Sequence, residues 1–503
     1  MAAVVILSAY PFDDAYIHLR LARNLAIFGE PYFNLGERVM SGSSPLWLLW
    51  LAAVIRVTGH GSTIVAVATE CLVIAAVFVT AEGFLAHACG RRWQTFVAAL
   101  VVSILALPSA GGLMETPLAI ALFFGGLWAY RWGGFVSAGV LLGLASAVRL
   151  EMVLPAVGAL VLAPDARARG RLVVGMGPVW LAQTAGLYLA FGAFLPHAMV
   201  AKAIVYQLDR SDLLTMGPQE LGRRTGACLV SILGLTTAFG AARLLPRACR
   251  RGDNLSAASL LLAALPLGLL GIYFVRVPLI FPWYWTLSVG PMALFAADQW
   301  TATTSVTASR TSRTRIVQAA SAVAILLLAW SSVLSVESAS CGRLERSPWV
   351  MENARTRTYL NIGSLLAERC PGATVGAAEI GALGWTYPGK ILDGAGLASP
   401  EVLPYHPLRV PDERPSGGVG AIPGRAFAAL RPDVVVSMDL FAVDFVRKSA
   451  TLAGLSDYVL WWKEPVFARG LAATLPGGLW GSRWTAVFAR SGRCRVPDDL
   501  PRN

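Results

Sequence analysis

Apolar residues gather in long runs over the first two thirds of the chain and give way to a mixed pattern beyond residue 336. Runs able to cross a bilayer, or nearly so, fall at about 61–88, 93–108, 117–131, 134–148, 152–164, 171–194, 226–245, 255–275, 279–297 and 316–336, with a shorter one at 1–12. A crossing helix needs roughly 20 mostly apolar residues, so the pattern predicts a polytopic α-helical membrane protein of about 11 transmembrane helices. At about 1.5 Å per residue the first run reaches about 18 Å, short of a hydrocarbon core of roughly 30 Å. No basic segment and no small-residue cleavage site precede the acids that follow it, so it is not read as a signal peptide. It reads as the end of a first helix whose upstream residues are missing.

Basic residues orient these helices, because short cytoplasmic loops are enriched in Lys and Arg. Arg91 and Arg92, then Arg131, then Arg167, Arg169 and Arg171, then Arg243, Arg247, Arg250 and Arg251, then Arg310, Arg313 and Arg315 fall in every second connection. The alternate connections, 13–60, 109–116, 149–151, 195–225, 276–278 and the C-terminal part, then face outside. Counting SPLWLLWLAAVIRVTG, residues 44–59, as a crossing would invert this order. It is therefore expected as an interfacial helix on the outer leaflet, with Trp47 and Trp50 at headgroup level.

Residues 1–336 thus form the membrane part, with 13–60 as a first outer loop, and 337–503 an extracytoplasmic soluble α/β domain. In the latter, MENARTRTYLNIGSLLAERC reads as an amphipathic helix ended by Pro371 and Gly372, ATVGAAEIGALGW and KILDGAGL as strands followed by Gly-rich turns, and RPDVVVSM as a buried strand. Residues 404–424 read as a long loop. Disulfides can form outside the cell, and Cys341, Cys370 and Cys494 lie here; a Cys341–Cys370 bridge is one of the pairings, none of which spacing alone decides.

Composition agrees: 55% of residues are hydrophobic and 14% charged, against about 25% charged in soluble domains. Of the net charge of +12, most belongs to residues 1–336 and is arginine in alternate connections. Nucleic-acid binding would need those arginines on one exposed face and is excluded, as are collagenous, disordered and disulfide-scaffold classes.

Candidate chemistry centres on PFDDAYIHLRLARN, residues 11–24. Asp13 and Asp14 stand where the first helix leaves the bilayer and open a helix carrying Tyr16, His18 and Arg20. An N-terminal acid is ordinary there and accounts for one of the two. Adjacent side chains on a helix point about 100° apart, so one can cap while the other faces a cavity. Glu115, in GGLMETPL, is a helix-start acid or a second site acid. Arg149 and Glu151 interrupt an apolar stretch, either pairing with each other or with Arg149 turned to an anion. Lys202, after FLPHAMVA, snorkels or binds. Arg276, with Trp283 and Tyr284 of FPWYW, forms an interfacial aromatic cluster suited to a sugar ring. Glu70 and Glu82 read as polar contacts between helices. The histidines His60, His87, His197 and His406 have no metal-ligand spacing, and no phosphate loop, Ser-His-Asp order or Cys-x-x-Cys is present.

The succession DDAYIHLR, FNLGERV, SSPLW, METP, an Arg-x-Glu break, LP followed by Lys202, FPWY and EIGALGWTYPGKILDGAGL resembles the GT-C superfamily of polyprenyl-phosphate-sugar glycosyltransferases, and within it the mycobacterial-type terminal arabinofuranosyltransferases. It departs at Arg149-Leu150-Glu151-Met152, where the family has Arg-Pro-Glu-Gly, and at Leu195-Pro196-His197-Ala198, where it has Leu-Pro-Asn-Thr. The resemblance implies an inverting transfer of a sugar, arabinofuranose in that family, from a polyprenyl-phosphate donor to a cell-envelope glycan or glycolipid acceptor outside the membrane. It implies a base at the first outer loop, Asp13 in preference to Asp14, with Glu115 as a further catalytic acid. Arg149, Lys202 and Arg276 would meet the donor phosphate, and Tyr16, His18, Arg20, Glu151, Trp283 and Tyr284 the substrates. No cofactor is fixed; an acidic pair leaves a divalent cation open. A lipid-linked-sugar flippase and an inactive glycan-binding relative are the alternatives, the first disfavoured by the lack of an evident repeat.

Overall fold

Every apolar run between 61 and 297 winds into a helix. The computed structural model describes residues 11–59, 62–86, 92–207, 220–249, 253–276, 284–304, 322–323, 325–326, 348–409, 412–414, 422–438, 441, 455–465, 484–490, 492 and 494. The runs at 1–12 and 316–336 lie almost wholly outside the described residues. In order come α1 (Asp13–Phe28), α2 (Pro45–Thr58), α3 (Ser62–Ala86), α4 (Arg92–Gly111), α5 (Thr116–Arg131), α6 (Phe135–Val148), a 3₁₀ turn (Leu150–Met152), α7 (Val153–Val161), α8 (Ala166–Phe191), α9 (His197–Val205), α10 (Glu220–Ala248), α11 (Asn254–Arg276) and α12 (Trp285–Thr304). Among the described residues three stretches, Ile64–Ala86, Ala166–Phe191 and Asn254–Ile272, are long and apolar enough to cross a membrane.

Small residues and buried ion pairs help hold these helices together. A Cβ added at Gly139 on α6 would lie 2.3 Å from the Leu172 carbonyl of α8, and one at Gly175 would lie 2.2 Å from the Val136 carbonyl. The backbones meet directly there, as small residues facing each other across two helices allow in apolar surroundings. Arg131 is not the loop cation expected from sequence. Buried at the end of α5, it pairs with Asp298 of α12 at 2.6 Å, donates to Ser259 of α11 at 2.8 Å and to the Phe84 carbonyl of α3 at 2.7 Å. Too short to reach water from that position, it is neutralised where it stands.

Helix α2 begins with the Ser44 hydroxyl accepting the Trp47 N–H at 3.3 Å. Its residues Trp47, Leu48, Leu51, Ala52 and Ile55 are buried and Leu49, Trp50 and Val57 exposed. The expectation that Trp47 lies at headgroup level is corrected: the indole is inside the protein, because it falls on the face that packs on α1.

The C-terminal part holds α13 (Pro348–Arg369), β1 (Val375–Ala377), α14 (Gly381–Thr386), β2 (Ile391–Asp393), a 3₁₀ turn (Pro400–Tyr405), α15 (Gly424–Leu430), β3 (Val434–Met438), β4 (Tyr458–Pro465) and β5 (Trp484–Arg490). The five strands run in the order β2-β1-β3-β5-β4. The first three are parallel, with Val375 opposite both Ile391 and Val434, and β5 pairs antiparallel with β3 and β4. Strands β1, β2 and β3 are buried along their length, which is why short apolar runs betray them. Strands β4 and β5 were not singled out from sequence.

Cys370, at the end of α13, is bonded to Cys494, beyond β5. This corrects the Cys341–Cys370 pairing; the sheet brings residue 494 back to α13, and Cys341 lies outside the described residues. One core runs from α1 and α2 into the sheet, joining Phe12, Leu19, Trp47 and Leu51 to Tyr359, Leu383, Ile391, Val434 and Val487.

Candidate functional site

The short helix α14 carries the Gly-Ala-Leu-Gly motif, and α1 grips it at both ends. Asp13 does not cap its own helix. Its Oδ1 accepts the Ala382 N–H at 2.8 Å and its Oδ2 the Gly381 N–H at 3.1 Å. Two turns along, Arg20 donates from Nη1 to the carbonyls of Gly384 and Tyr387 at 2.7 and 3.0 Å, from Nη2 to Gly389 at 3.0 Å and from Nε to Phe33 at 2.7 Å. Arg23 donates to the Trp385 carbonyl at 2.8 Å and lies over the Trp385 ring. A carboxylate at the first amides of a helix and guanidinium groups at its last carbonyls match the charges its peptide dipoles leave exposed.

Both motif glycines serve this contact. A Cβ on Gly381 would come within 1.8 Å of the Asp13 carbonyl, and one on Gly384 within 2.6 Å of Arg20 Nη1. Tyr16, 2% exposed, has its ring centroid 5.9 Å from that of Trp385. The expectation that Tyr16 and Arg20 bind substrate is therefore corrected. They dock the C-terminal part on α1, because the positions three and four apart that they occupy form the face α14 covers.

About 100° around α1 from Asp13, Asp14 points elsewhere. It lines a narrow cleft together with Ile17, His18, Ser41, Ser43, Met114, Glu115, Lys202, Tyr284 and Leu397. The Asp14 side chain is 26% exposed, its Oδ2 lies 3.8 Å from Lys202 Nζ, and it accepts no hydrogen bond among the described residues. Lys202 Nζ donates to the Tyr284 hydroxyl at 3.4 Å. Leu397, from the loop after β2, completes the cleft from the C-terminal side.

The far wall is a charged clamp. Arg149 donates from Nη1 to Glu115 at 2.8 Å and from Nη2 to Glu151 at 2.7 Å, with its guanidinium 4.7 Å from the Tyr284 ring centre. Of the two readings of Arg149 and Glu151 the pairing forms, and the arginine also reaches a second acid. The loop bearing Glu115 is itself held: Glu70 of α3 accepts the Leu113 N–H at 3.1 Å, with Leu113 in the left-handed region at φ 55°. That conformation costs a non-glycine residue about 1–2 kcal/mol, and such strain collects at functional sites.

Burial sets the charge states. It pushes the Asp13 carboxyl up, against the pull of Arg355 and the amides it accepts from. It opposes the charge on Lys202 too, but Tyr284, Asp14 and Glu115 outweigh it and hold the ammonium above its ordinary value. For Glu151, burial opposes ionisation and Arg149 overcomes it, leaving the carboxyl below the usual range. Burial lowers His18, partly offset by Glu115. Two outcomes follow.

Arg149→Ala strands Glu115, 1% exposed, and is expected to cost about 3–5 kcal/mol of stability, read as a lower unfolding temperature in detergent, with Arg149→Lys restoring part of it. His18, neutral in the fold, takes up its proton on unfolding. Its stabilising share is present above pH about 6.5 and lost as pH falls below it. A His18→Gln variant should show a flatter fall in unfolding temperature between pH 7 and 5, and an unchanged slope would contradict this.

Arg276 closes α11, and its side chain, like the whole of Trp283, lies outside the described residues. Among the described residues no group of three or more His, Cys, Asp or Glu is placed to hold a metal ion. Ser41, Ser43 and Leu397 went unmarked in sequence reading. Ser41 lies two residues before SSPLW, Ser43 opens it, and Leu397 ends the DGAGL segment.

A domain of unknown function, DUF8728, matches residues 349–488. No curated protein matches the chain by sequence. Among solved structures, the arabinofuranosyltransferase AftD from Mycobacteria, as mutant R1389S, is 16% identical, with 97% of this chain and 41% of that one covered and a TM-score of 0.46. ArnT from Cupriavidus metallidurans, bound to undecaprenyl phosphate, is 13% identical over 98% of this chain and 97% of that one, with a TM-score of 0.41. An oligosaccharyltransferase from Archaeoglobus fulgidus, in complex with Zn and sulfate, is 11% identical over 93% and 66%, with a TM-score of 0.46. The chain spans about two fifths of the AftD length.

Proposed function

We propose that the protein is an inverting glycosyltransferase that moves a sugar from a polyprenyl-phosphate donor to a cell-envelope glycan or glycolipid at the outer face of the membrane, with Asp14 rather than Asp13 as the base. In this reading the chain crosses the membrane about 11 times at roughly 20 residues per crossing and its C-terminal part stands outside the cytoplasm. The observation that carries it is the Asp14 carboxylate, part-exposed in a cleft with an ammonium 3.8 Å away, while both oxygens of Asp13 accept backbone amides. Apart from Tyr284, the cleft residues also come from the connections that alternate with the arginine-rich ones.

The chemistry follows from that pair. Asp14 takes the proton of an acceptor hydroxyl as its oxygen attacks the anomeric carbon, which requires a base within hydrogen-bond reach. The bond from that carbon to the phosphate oxygen breaks, and its electron pair leaves with the polyprenyl phosphate. A phosphodiester thereby becomes a monoester with one more negative charge, and Lys202 is the cation beside Asp14 placed to meet it. Carboxylates nearby favour the oxocarbenium-like centre. One displacement inverts the anomeric configuration. Arg149, held between two acids, sets the position of Glu115 rather than meeting phosphate.

Purified full chain, given a radiolabelled polyprenyl-phosphate sugar and an oligosaccharide acceptor, should yield labelled glycan of inverted configuration. A product of retained configuration, or none, overturns the reading; movement of labelled lipid across a vesicle without transfer assigns a flippase instead.

A further inference from the structure

Three polar atoms lining the cleft have no partner among the described residues: Nδ1 of His18, Oγ of Ser41 and Oε2 of Glu115. Their residues are 4%, 2% and 1% exposed. Buried polar atoms are almost always hydrogen-bonded, and such an orphan calls for a ligand or water. Three in one cleft share one explanation. We infer that Ser41, His18 and the free oxygen of Glu115 form a hydroxyl-reading subsite for the neutral, polyhydroxyl part of a substrate, with the phosphate held outside it.

The donor and acceptor inventory points to hydroxyl groups. A serine hydroxyl donates once and accepts, a neutral imidazole has one donor and one acceptor nitrogen, and a carboxylate only accepts. A sugar hydroxyl, itself donor and acceptor, satisfies each of them. A phosphate oxygen cannot, since it would face the Glu115 carboxylate. Charge balance agrees: Asp14, Glu115 and Glu151 surround the cleft against Lys202 and Arg149, and both cations are already within salt-bridge distance of acids. An anion placed deep among them would meet a net negative wall.

The subsite is also rigid. A Cβ on Gly42 would lie 3.0 Å from the His18 ring, so the 41–43 loop rests directly on the imidazole. Glu115 is fixed by Arg149 through its other oxygen. Fixed polar groups discriminate strongly, because a ligand lacking one hydroxyl leaves a buried atom unpaired.

This inference takes its probes from the transferase reading, and its test reads binding, so the two can fail separately. The full chain in detergent would be titrated with polyprenyl phosphate, with the same lipid bearing a pentofuranose, with single-deoxy analogues of that lipid, and with a methyl pentofuranoside dimer as soluble acceptor mimic. Ser41→Ala is expected to weaken the sugar-bearing ligand about 10-fold, about one lost buried hydrogen bond. One deoxy analogue should bind wild type and Ser41→Ala alike, and bare polyprenyl phosphate should be unaffected. Gly42→Ala, which presses on His18, should reproduce the loss without deleting a polar atom. A deficit confined to the lipid-linked sugar assigns the donor, one confined to the soluble dimer the acceptor, and both outcomes support the subsite. Equal weakening of bare lipid, the same loss for parent and every deoxy analogue, or no change in either variant overturns it. Hydroxyl-dependent binding without any transfer would leave the subsite standing and remove the enzyme.

Discussion

Asp14→Asn is expected to lower the turnover of sugar transfer by about 10³-fold while leaving the folded protein intact, the loss typical of a general base. Only its ion pair with Lys202 at 3.8 Å is disturbed, and a part-exposed pair of this kind contributes little to stability. Asp13→Asn should behave in the opposite way. The amide group that replaces the carboxylate turns a donor toward the N–H of Gly381 or Ala382, so stability falls by about 1–3 kcal/mol, and activity per folded molecule stays within a few-fold. Measuring turnover and unfolding temperature on both variants separates the roles, and equal turnover losses would remove the distinction between the two acids.

The second large effect concerns the contact between α1 and α14. Gly381→Ala places a methyl group within 1.8 Å of the Asp13 carbonyl. That neighbour is backbone rather than the end of a flexible side chain, so the helices must part. Arg20→Ala leaves the carbonyls of Phe33, Gly384, Tyr387 and Gly389 without their donor, and the loss of so buried a charged hub is expected to cost about 3–5 kcal/mol. Arg20→Lys should recover little, since an ammonium cannot reproduce the planar fork. Limited proteolysis reads this directly: both variants should expose the C-terminal part to cleavage while the apolar helices stay protected. Protection equal to wild type would show that the contact does not hold the two parts together.

Much of this arrangement is legible in the sequence because its signals are periodic and local. Apolar runs mark the helices, and the unbroken Val434–Met438 run marks a buried strand. The adjacent pair Asp13 and Asp14 announces two roles by the angle between neighbouring helix positions. Which acid takes which role is not local, since it depends on where residues 381 and 382 arrive. Arg20 misleads for the same reason: an arginine beside an acid pair looks like a ligand contact until the carbonyls it serves, more than 360 positions away, are in view. Strands β4 and β5 escape notice because β4 mixes Lys463 and Glu464 with its aromatics and pairs through an irregular register between Leu460 and Trp462. Ser41 and Ser43 carry no periodic signal at all.

The grip of α1 on α14 joins residues separated by 368 and 369 positions, and it fixes an order of assembly. Helix α1 is made well before the helix it must hold, which emerges only after the apolar helices α3 to α12 have been synthesised. Contacts of such sequence separation form late, since the chain between them must be ordered first. Until then Asp13 lacks the amides of Gly381 and Ala382, Arg20 has Phe33 but none of its C-terminal carbonyls, and the cleft lacks Leu397. On the proposed reading, the growing chain carries a base with no finished site around it, and transfer begins only once the last third of the protein has folded back on α1.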